Sequence, residues 1–391
     1  GLDNRILDNE EKLIKNIYKD LNDAIKIRLQ SDAKVAIQVS GGVDSSIIAS
    51  VVKRIKDFKD RVSFFTCDII DSENKQTSDT FYSNELAKKL KIKLQKVKIN
   101  QLSETVFLDY ANQIHNSTEL PTNLFLASTP TYILAKKMHE KGIKVSLDGV
   151  GGDEIMGGYP SFESLIIANL RKGKLFEAKS LYNNWKKFSD YKNNTFLKVL
   201  KRALFNKNSP LNHSNINIFQ KLINDSEIQN YLHFYDDYFF TREKYEHQKD
   251  RQLFEVRNYQ IPYYLGISDS INMRWSVENR SPFLDTRLFK YIFIERNFKI
   301  QKGFNKFILR KAYEKIVPRN IIWRKDKQGM RSIFSEKILK SKKIKEIILD
   351  SNFIKSICVR DKIEKDLENE RHCIQQFFPL AVLDDIYRIK I

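Results

Sequence analysis

Residues 39–46 read Val-Ser-Gly-Gly-Val-Asp-Ser-Ser, directly after the alternating apolar positions Val35, Ile37 and Val39. That alternation has the period of a β-strand, and Ser45 to Ile55 has the apolar content of a helix. A strand that breaks on two glycines and continues as a helix sets a row of backbone N–H groups at the positive end of the helix dipole, which is an anion nest. Gly41 and Gly42 bring that backbone close to a phosphate with no Cβ between them. Ser40, Ser45 and Ser46 add hydroxyl donors, and Asp44 adds a carboxylate placed to hold Mg2+ against the phosphates. A plain helix cap accounts for one polar residue at such a junction, not for this set. The Gly-Lys-Ser/Thr of the Walker phosphate loop is absent from it.

Working outward, residues 10–30 have a helical period, with Leu13, Ile14, Ile17, Tyr18, Leu21, Ala24 and Ile25 on one face. Downstream, strands are predicted at Val62 to Ile70, Leu94 to Ile99 and Val145 to Leu147, and helices at Phe81 to Leu90 and Thr131 to Glu140. Alternation through about residue 150 predicts an α/β fold, a doubly wound parallel sheet with helices on both faces and its ligand beyond the carboxyl ends of the strands. From about residue 160 the pattern is largely helical, and residues 170–255 carry no readable chemistry.

A second loop falls at such a strand end. Residues 147–159 read Leu-Asp-Gly-Val-Gly-Gly-Asp-Glu-Ile-Met-Gly-Gly-Tyr. Its glycines let the backbone close around a ligand, and Asp153 and Glu154 supply charge at the rim.

The first string resembles the pyrophosphate motif SGGxDSS of the ATP pyrophosphatases, and the second resembles the asparagine-synthetase motif LSGEGxDExFGGY. Ala127-Ser128-Thr129-Pro130 with Tyr132 is similar to the same synthetases. So are Glu278 to Asp285 (ENRSPFLD, against ExRxPFLD), Lys306 to Arg310 (KFILR, against KxxLR) and Arg324-Lys325-Asp326-Lys327 with Gly329. These motifs stand in the family's order from about residue 10 to about 330, which disfavours the tRNA-modifying branch. The resemblance implies the ATP-pyrophosphatase (adenine nucleotide alpha hydrolase-like) fold. It also implies ATP and Mg2+ as cofactors and a carbon–nitrogen ligase that adenylates a carboxylate, releases pyrophosphate and passes the acyl group to ammonia. Aspartate to asparagine is the default substrate pair.

The same resemblance assigns residues. Gln38, Cys67, Asp148 and Gly149 match positions lining the nucleotide, beside the loop residues Ser40, Gly41, Gly42, Asp44, Ser45 and Ser46. Asp153 joins Asp44 as a metal ligand. Lys306 stabilises charge growing on pyrophosphate, with Arg310 in the same field, and Glu278 is the polar residue left to assist the amine step. The implied division is a helical linker over 1–32 following an absent glutaminase, a nucleotide-binding core over 33–160 and a mostly helical remainder over 161–391. The expected partners are a small-molecule carboxylate and a glutaminase domain or subunit that supplies ammonia. A homodimer is allowed but not specified.

Three positions depart from the family pattern. Val150 stands where the asparagine-forming members carry Glu, Leu126 where they carry Arg, and Ser270 where a basic residue is common. A valine cannot move a proton, and a small dianion needs fixed positive charge to hold it. All three losses fall at the carboxylate end, so the alternative expectation is the same chemistry on another acid: a sugar uronic acid giving a uronamide, or an internal amine closing a β-lactam-type ring.

Composition bounds the rest. A net charge of +19 suits anionic partners, but the lysines are dispersed and form no basic-aromatic stripe, so no nucleic acid partner is expected. Cys67, Cys358 and Cys373 are too scattered for a disulfide framework or a zinc site, which points to a reducing cytoplasm. No apolar run approaches the roughly 20 residues that span a bilayer.

Overall fold

The computed structural model describes residues 9–58, 61–69, 78–99, 102–119, 122, 127–159, 162–186, 195–205, 247–325, 338, 340–358, 360–369 and 371–387. In chain order the elements are α1 (Glu10–Arg28), β1 (Lys34–Gln38), α2 (Val43–Arg54), β2 (Val62–Ile69), α3 (Ser78–Leu90), β3 (Leu94–Ile99), α4 (Glu104–Thr118), α5 (Thr129–Glu140) and β4 (Ile143–Leu147). Short α6 (Gly152–Met156) follows, then α7 (Phe162–Arg171), α8 (Leu175–Trp185), α9 (Phe196–Phe205), α10 (Gln248–Arg257), α11 (Gln260–Arg274) and β5 (Glu278–Arg280). After two 3-10 segments, Pro282–Leu284 and Thr286–Phe293, come α12 (Arg296–Lys299), α13 (Phe307–Tyr313) and α14 (Arg319–Ile322). The chain then adds α15 (Lys342–Asp350), α16 (Asn352–Ile357), α17 (Arg360–Asn369) and α18 (Arg371–Tyr387).

All strand pairings are parallel, and the sheet order is β3-β2-β1-β4-β5. The chain therefore builds outward from β1 through β2 to β3, then crosses back to lay β4 on the other side of β1. The crevice at the carboxyl ends of β1 and β4 is the switch point where open α/β sheets bind ligands. The loops at residues 39–46 and 147–159 leave from those two strand ends.

Both faces of the sheet are covered. On one face Val35 and Ile37 pack with Leu13, Ile17, Leu21 and Ile25 of α1, Ile47 and Ile48 of α2, and Ile308, Leu309 and Tyr313 of α13. On the other, Ala36 packs with Phe65, Val97, Leu134 and Met138. Val35, Ala36 and Ile37 are consequently all fully buried, as expected of a central parallel strand. Val35 and Ile37 each contribute about 1.5–3 kcal/mol by leaving water, and the single methyl of Ala36 less.

α1 forms because Asn9 caps the Lys12 N–H at 3.1 Å, Glu10 and Glu11 sit in its first turn, and Lys26 and Arg28 sit in its last. Its buried stripe then lies against α13. A second core, around Phe107, Ile271, Ile348, Phe377 and Phe378, joins α4 and α11 to α15–α18. The edge strand β5 and helix α4 are additions that periodicity did not reveal. β5 comes from within the largely helical part of the chain and completes the sheet. Among the described residues no helix is long and apolar enough to cross a membrane.

Candidate active site

The loop after β1 is held from within and from outside. Ser45 Oγ accepts from the Ser40 N–H at 3.1 Å, lies 3.0 Å from Ser40 Oγ and donates to Gly42 O at 3.3 Å. Gly41 has φ +72, and a Cβ there would stand 2.6 Å from Asp79 O and 2.7 Å from Ser83 N, both backbone atoms of α3. Arg324 holds that approach together: its guanidinium donates to Gly41 O at 2.8 Å and Asp79 Oδ1 at 2.9 Å, and lies 4.1 Å over the Tyr82 ring. Ser46 is fully buried behind the loop.

The loop after β4 comes in against Asp44. A Cβ on Gly149 would lie 2.9 Å from Asp44 Cβ, and one on Gly152 would lie 2.7 Å from Asp44 Oδ1. Gly151, at φ +90, turns the chain into α6, which delivers Asp153. Lys306 then closes the set. Its Nζ lies 2.5 Å from Asp44 Oδ2 and 2.8 Å from Asp153 Oδ1, with its side chain only 3% exposed. Gly158 passes so close to the Asp153 carboxylate and the Lys306 stem that a Cβ would overlap both.

Lys306 has left-handed backbone angles, φ 50 and ψ 34, and caps α13. A non-glycine residue holds that conformation only where its surroundings impose it. Here Arg310 imposes it, donating to Asn305 O and Asn305 Oδ1, each at 2.7 Å, while its other nitrogen reaches Ile322 O and Arg324 O. Asn305 in turn donates its side-chain amide to Gly158 O. Arg310 thus braces the Lys306 turn and lies in the field of Asp44 and Asp153; burial lowers its guanidinium to about 10.

Asp148 belongs to a separate clamp. Its Oδ2 accepts from Asn279 Nδ2 at 2.7 Å, and its Oδ1 from Ser281 Oγ at 2.7 Å and the Val150 N–H at 3.1 Å. Gln38 Nε2 donates to Ser146 Oγ and to Asn279 Oδ1, and Ser146 donates to Asn279. The chain of bonds ties the carboxyl ends of β1, β4 and β5 together. Burial raises the Asp148 carboxyl, against the hydrogen bonds from Ser281 and Asn279. Asn279, Ser146 and Asn305 are contributors that motif reading passed over. Asn279 was in view inside the ENRSPFLD stretch, but nothing in one sequence marks its two-sided amide as a link.

The remaining expected residues sit as follows. Glu278 is on β5 with an exposed carboxylate gripping Arg280, whose guanidinium also reaches Arg28 O and Gln30 O behind α1. It touches neither Lys306 nor its two carboxylates. Cys67 lies on β2, and burial pushes its thiol up to about 12, so it is no thiolate nucleophile. Val150 is half-buried beside Asp148, and Ser270 Oγ bonds back to Gly266 O within α11. Leu126, Asp326, Lys327 and Gly329 lie outside the described residues. Glu154, next to Asp153, is pushed up to about 7 by burial and by the Asp153 charge, while Tyr159 Oη donates to it at 3.1 Å.

Asp44 Oδ1 is buried and has no hydrogen-bond partner among the described residues. A bare, acceptor-only oxygen beside a second carboxylate suits a hard cation. Among the described residues no cluster of three or more His, Cys, Asp or Glu could hold a metal by protein groups alone. A cation at Asp44 and Asp153 therefore has to complete its shell with a ligand's oxygens and water.

Comparison with known proteins gives a consistent answer. The model of the asparagine synthase family matches residues 16–371. The asparagine synthetase [glutamine-hydrolyzing] 1 of Bacillus subtilis is 27% identical over 340 residues, covering 81% of this chain and 49% of its own. A putative asparagine synthetase [glutamine-hydrolyzing] 1 of Methanocaldococcus jannaschii is 31% identical over 40% of this chain and 27% of its own. The amidase chyE of Penicillium rubens is 27% identical over 41% of this chain and 25% of its own. The chain spans about half the length of the Bacillus relative, and its matches to the other two cover about a quarter of theirs.

Proposed function

Since this chain belongs to the asparagine synthase family, we propose that it is the ATP-using half of a ligase that adenylates a carboxylate and converts it to an amide. The observation that carries this reading is the convergence of Asp44, Asp153 and Lys306 at the switch point of the sheet. In the first step a carboxylate oxygen attacks the α-phosphorus of ATP, the bond to the β-phosphate breaks, and pyrophosphate leaves. The loop N–H groups and Ser40 and Ser45 cradle the leaving phosphates. Lys306 faces the charge that grows on them, the role in which a fixed cation lowers the barrier most. In the second step ammonia attacks the acyl carbon and AMP leaves.

Asp44 and Asp153 fit Mg2+, which takes one or two protein carboxylates and fills the rest of its shell with phosphate oxygens and water. When bound it would neutralise charge on the phosphates. Arg310 holds Lys306 in place, and the Asp148 clamp fixes the edge along which the nucleotide lies. Ammonia from a glutaminase domain or subunit, with glutamine as donor, is in keeping with the glutamine-hydrolyzing relatives.

Aspartate is the default acid. The specific observation in favour of another is Val150, an apolar residue at the mouth of the second loop with no proton to give or take. A uronic acid or a carboxylate with an internal amine then becomes the substrate class. Exchange of labelled pyrophosphate into ATP, measured with Mg2+ and a panel of aspartate, glutamate and nucleotide-linked uronic acids, tests the reading. Exchange with aspartate supports the asparagine-forming route. Exchange with another acid alone names the substrate, and a protein that neither binds ATP nor exchanges pyrophosphate removes the proposal.

A further inference from the structure

Lys299 is 1% exposed, and among the described residues no carboxylate pairs with it. Its Nζ donates to Gln252 Oε1 and to Ile292 O, each at 2.6 Å. Two acceptors match the two N–H bonds of a neutral amine, whereas an ammonium has three. Burial lowers this amine to about 7, in keeping with that count. Gln252, itself 3% exposed, turns its other end to α6: Nε2 donates to Glu154 O at 2.5 Å and to Ile155 O at 3.0 Å. Both ends of the amide are engaged, and its orientation is fixed, because reversing it would turn the amide oxygen toward the Glu154 and Ile155 carbonyl oxygens.

α6 needs this outside support. It is five residues long, about one turn, too short to hold itself. Its last carbonyls have no partner within the helix, and the Gly158 N–H that could have served Glu154 O goes to Asp153 O at 2.7 Å instead. Gly157, at φ +71, lets the chain pass: a Cβ there would lie 2.5 Å from Gln248 Nε2 and 3.2 Å from Lys299 Cβ. The line from Ile292 O through Lys299 and Gln252 thus ends on the two carbonyls that follow Asp153, the residue paired with Lys306.

We propose that Lys299 and Gln252 are positioning residues that hold α6 so that the Asp153 carboxylate can share a nucleotide-bound cation with Asp44. This rests on the ATP reading above. It concerns no contact between Lys299 and substrate, since both side chains are sealed from the crevice.

The test is equilibrium binding of a methylanthraniloyl-ATP probe to the full chain, with Mg2+ and with EDTA, alongside thermal unfolding. For the unaltered protein, Mg2+ is expected to tighten binding. Lys299→Met is expected to lose roughly tenfold of that tightening, the effect typical of groups supporting a metal ligand, while affinity in EDTA stays as it was. Gln252→Leu should do the same, and the double variant should be no worse than either single one, because both break one line. Gln252→Glu keeps an acceptor for Lys299 but sets an oxygen against the two α6 carbonyls, so it should lose the Mg2+ effect, and the thermal unfolding curve read beside it shows whether the fold is kept. Retention of the full Mg2+ effect in Lys299→Met or Gln252→Glu overturns the proposal. So does an equal loss of affinity with Mg2+ and with EDTA, which would mark general destabilisation. An unaltered protein that fails to bind the probe at all removes the ATP reading and the positioning role together, a result distinct from failure of the variants alone.

Discussion

Lys306 and Asp44 lie 262 residues apart in sequence and 2.5 Å apart in space, both buried, at the point where the strand order reverses. The lysine also reaches Asp153, so one cation answers two carboxylates. Replacing it separates charge stabilisation from packing. Lys306→Met is expected to lower pyrophosphate exchange by about a hundredfold or more, the usual cost of removing a fixed group that faces developing charge. It should also destabilise the fold by about 3–5 kcal/mol, because the buried Asp44 carboxylate and the half-buried Asp153 carboxylate lose their shared cation. Exchange assays and urea unfolding read the two effects. Unchanged exchange would remove Lys306 from the reaction.

Gly158 tests the same centre without touching a charge. Its Cβ position is already filled by the Asp153 carboxylate and the Lys306 stem. Gly158→Ala must displace one of them, and an inserted methyl in a packed site costs about 1–3 kcal/mol. Exchange is expected to fall at least tenfold. Gly142→Ala serves as the comparison: φ there is also positive, at +71, but nothing lies within 4 Å of the added methyl. That variant should keep full exchange and show only a modest backbone penalty in its melting temperature.

Glu154 gives a pH signature. Its carboxyl is raised in the fold to about 7, from about 4.3 in an unfolded chain. Stability tied to the bound proton is fully present below pH ~4.3 and is lost as pH rises through 7. Glu154→Gln imitates the protonated form at every pH. Relative to the unaltered protein it should be about equal near pH 4 and more stable by on the order of a few kcal/mol at pH 8. Urea midpoints at the two pH values measure this. An equal difference at both would mean that Glu154 does not titrate in this range.

Asp285 gives the opposite sign. Its carboxylate accepts from Arg287 Nε and Nη2 at 2.8 Å, from Arg28 at 2.7 Å and from the Arg287 backbone N–H at 3.0 Å. These partners, Arg287 first, hold its carboxyl well below the usual range. The contribution is present above the unfolded value of about 3.9 and is lost as pH falls through the folded one. Asp285→Asn should therefore cost about 2 kcal/mol at pH 7 and progressively less below pH ~4. A cost that does not shrink in acid would refute that account.

Much of the centre was legible because its signals are local. Val35, Ile37 and Val39 with Gly41 and Gly42 spell a strand and its turn within a few residues, and Asp44 and Asp153 sit in glycine-rich strings whose chemistry is short-range. Lys306 came into view only through resemblance, since no local pattern tells that a lysine before a helix will face two distant acids. β5 was missed because Glu278, Asn279 and Arg280 have no strand character of their own. They pair only because β4 offers an open edge and Asp148 offers a carboxylate to Asn279. α4 escaped for a different reason: its buried residues Phe107, Ala111 and Ile114 are covered by α18 and α11, so its apolar face makes sense only with partners far along the chain. Arg310 shows how a side chain can fit a motif and still serve chiefly as a brace.

The cover over α1 has a consequence for how the protein is made. The face carrying Leu13, Ile17 and Leu21 is closed by Ile308, Leu309 and Tyr313 of α13. The lysine is synthesised 262 residues after Asp44 of the loop at residues 39–46, an interval on the order of tens of seconds at common elongation rates. Through that interval the first helix shows an uncovered apolar stripe, and the nascent sheet has no β5 along its β4 edge. The chain's most vulnerable period is therefore its own translation. Truncation before α13 would leave a fragment with a nucleotide loop, no counter-charge and a surface that invites aggregation.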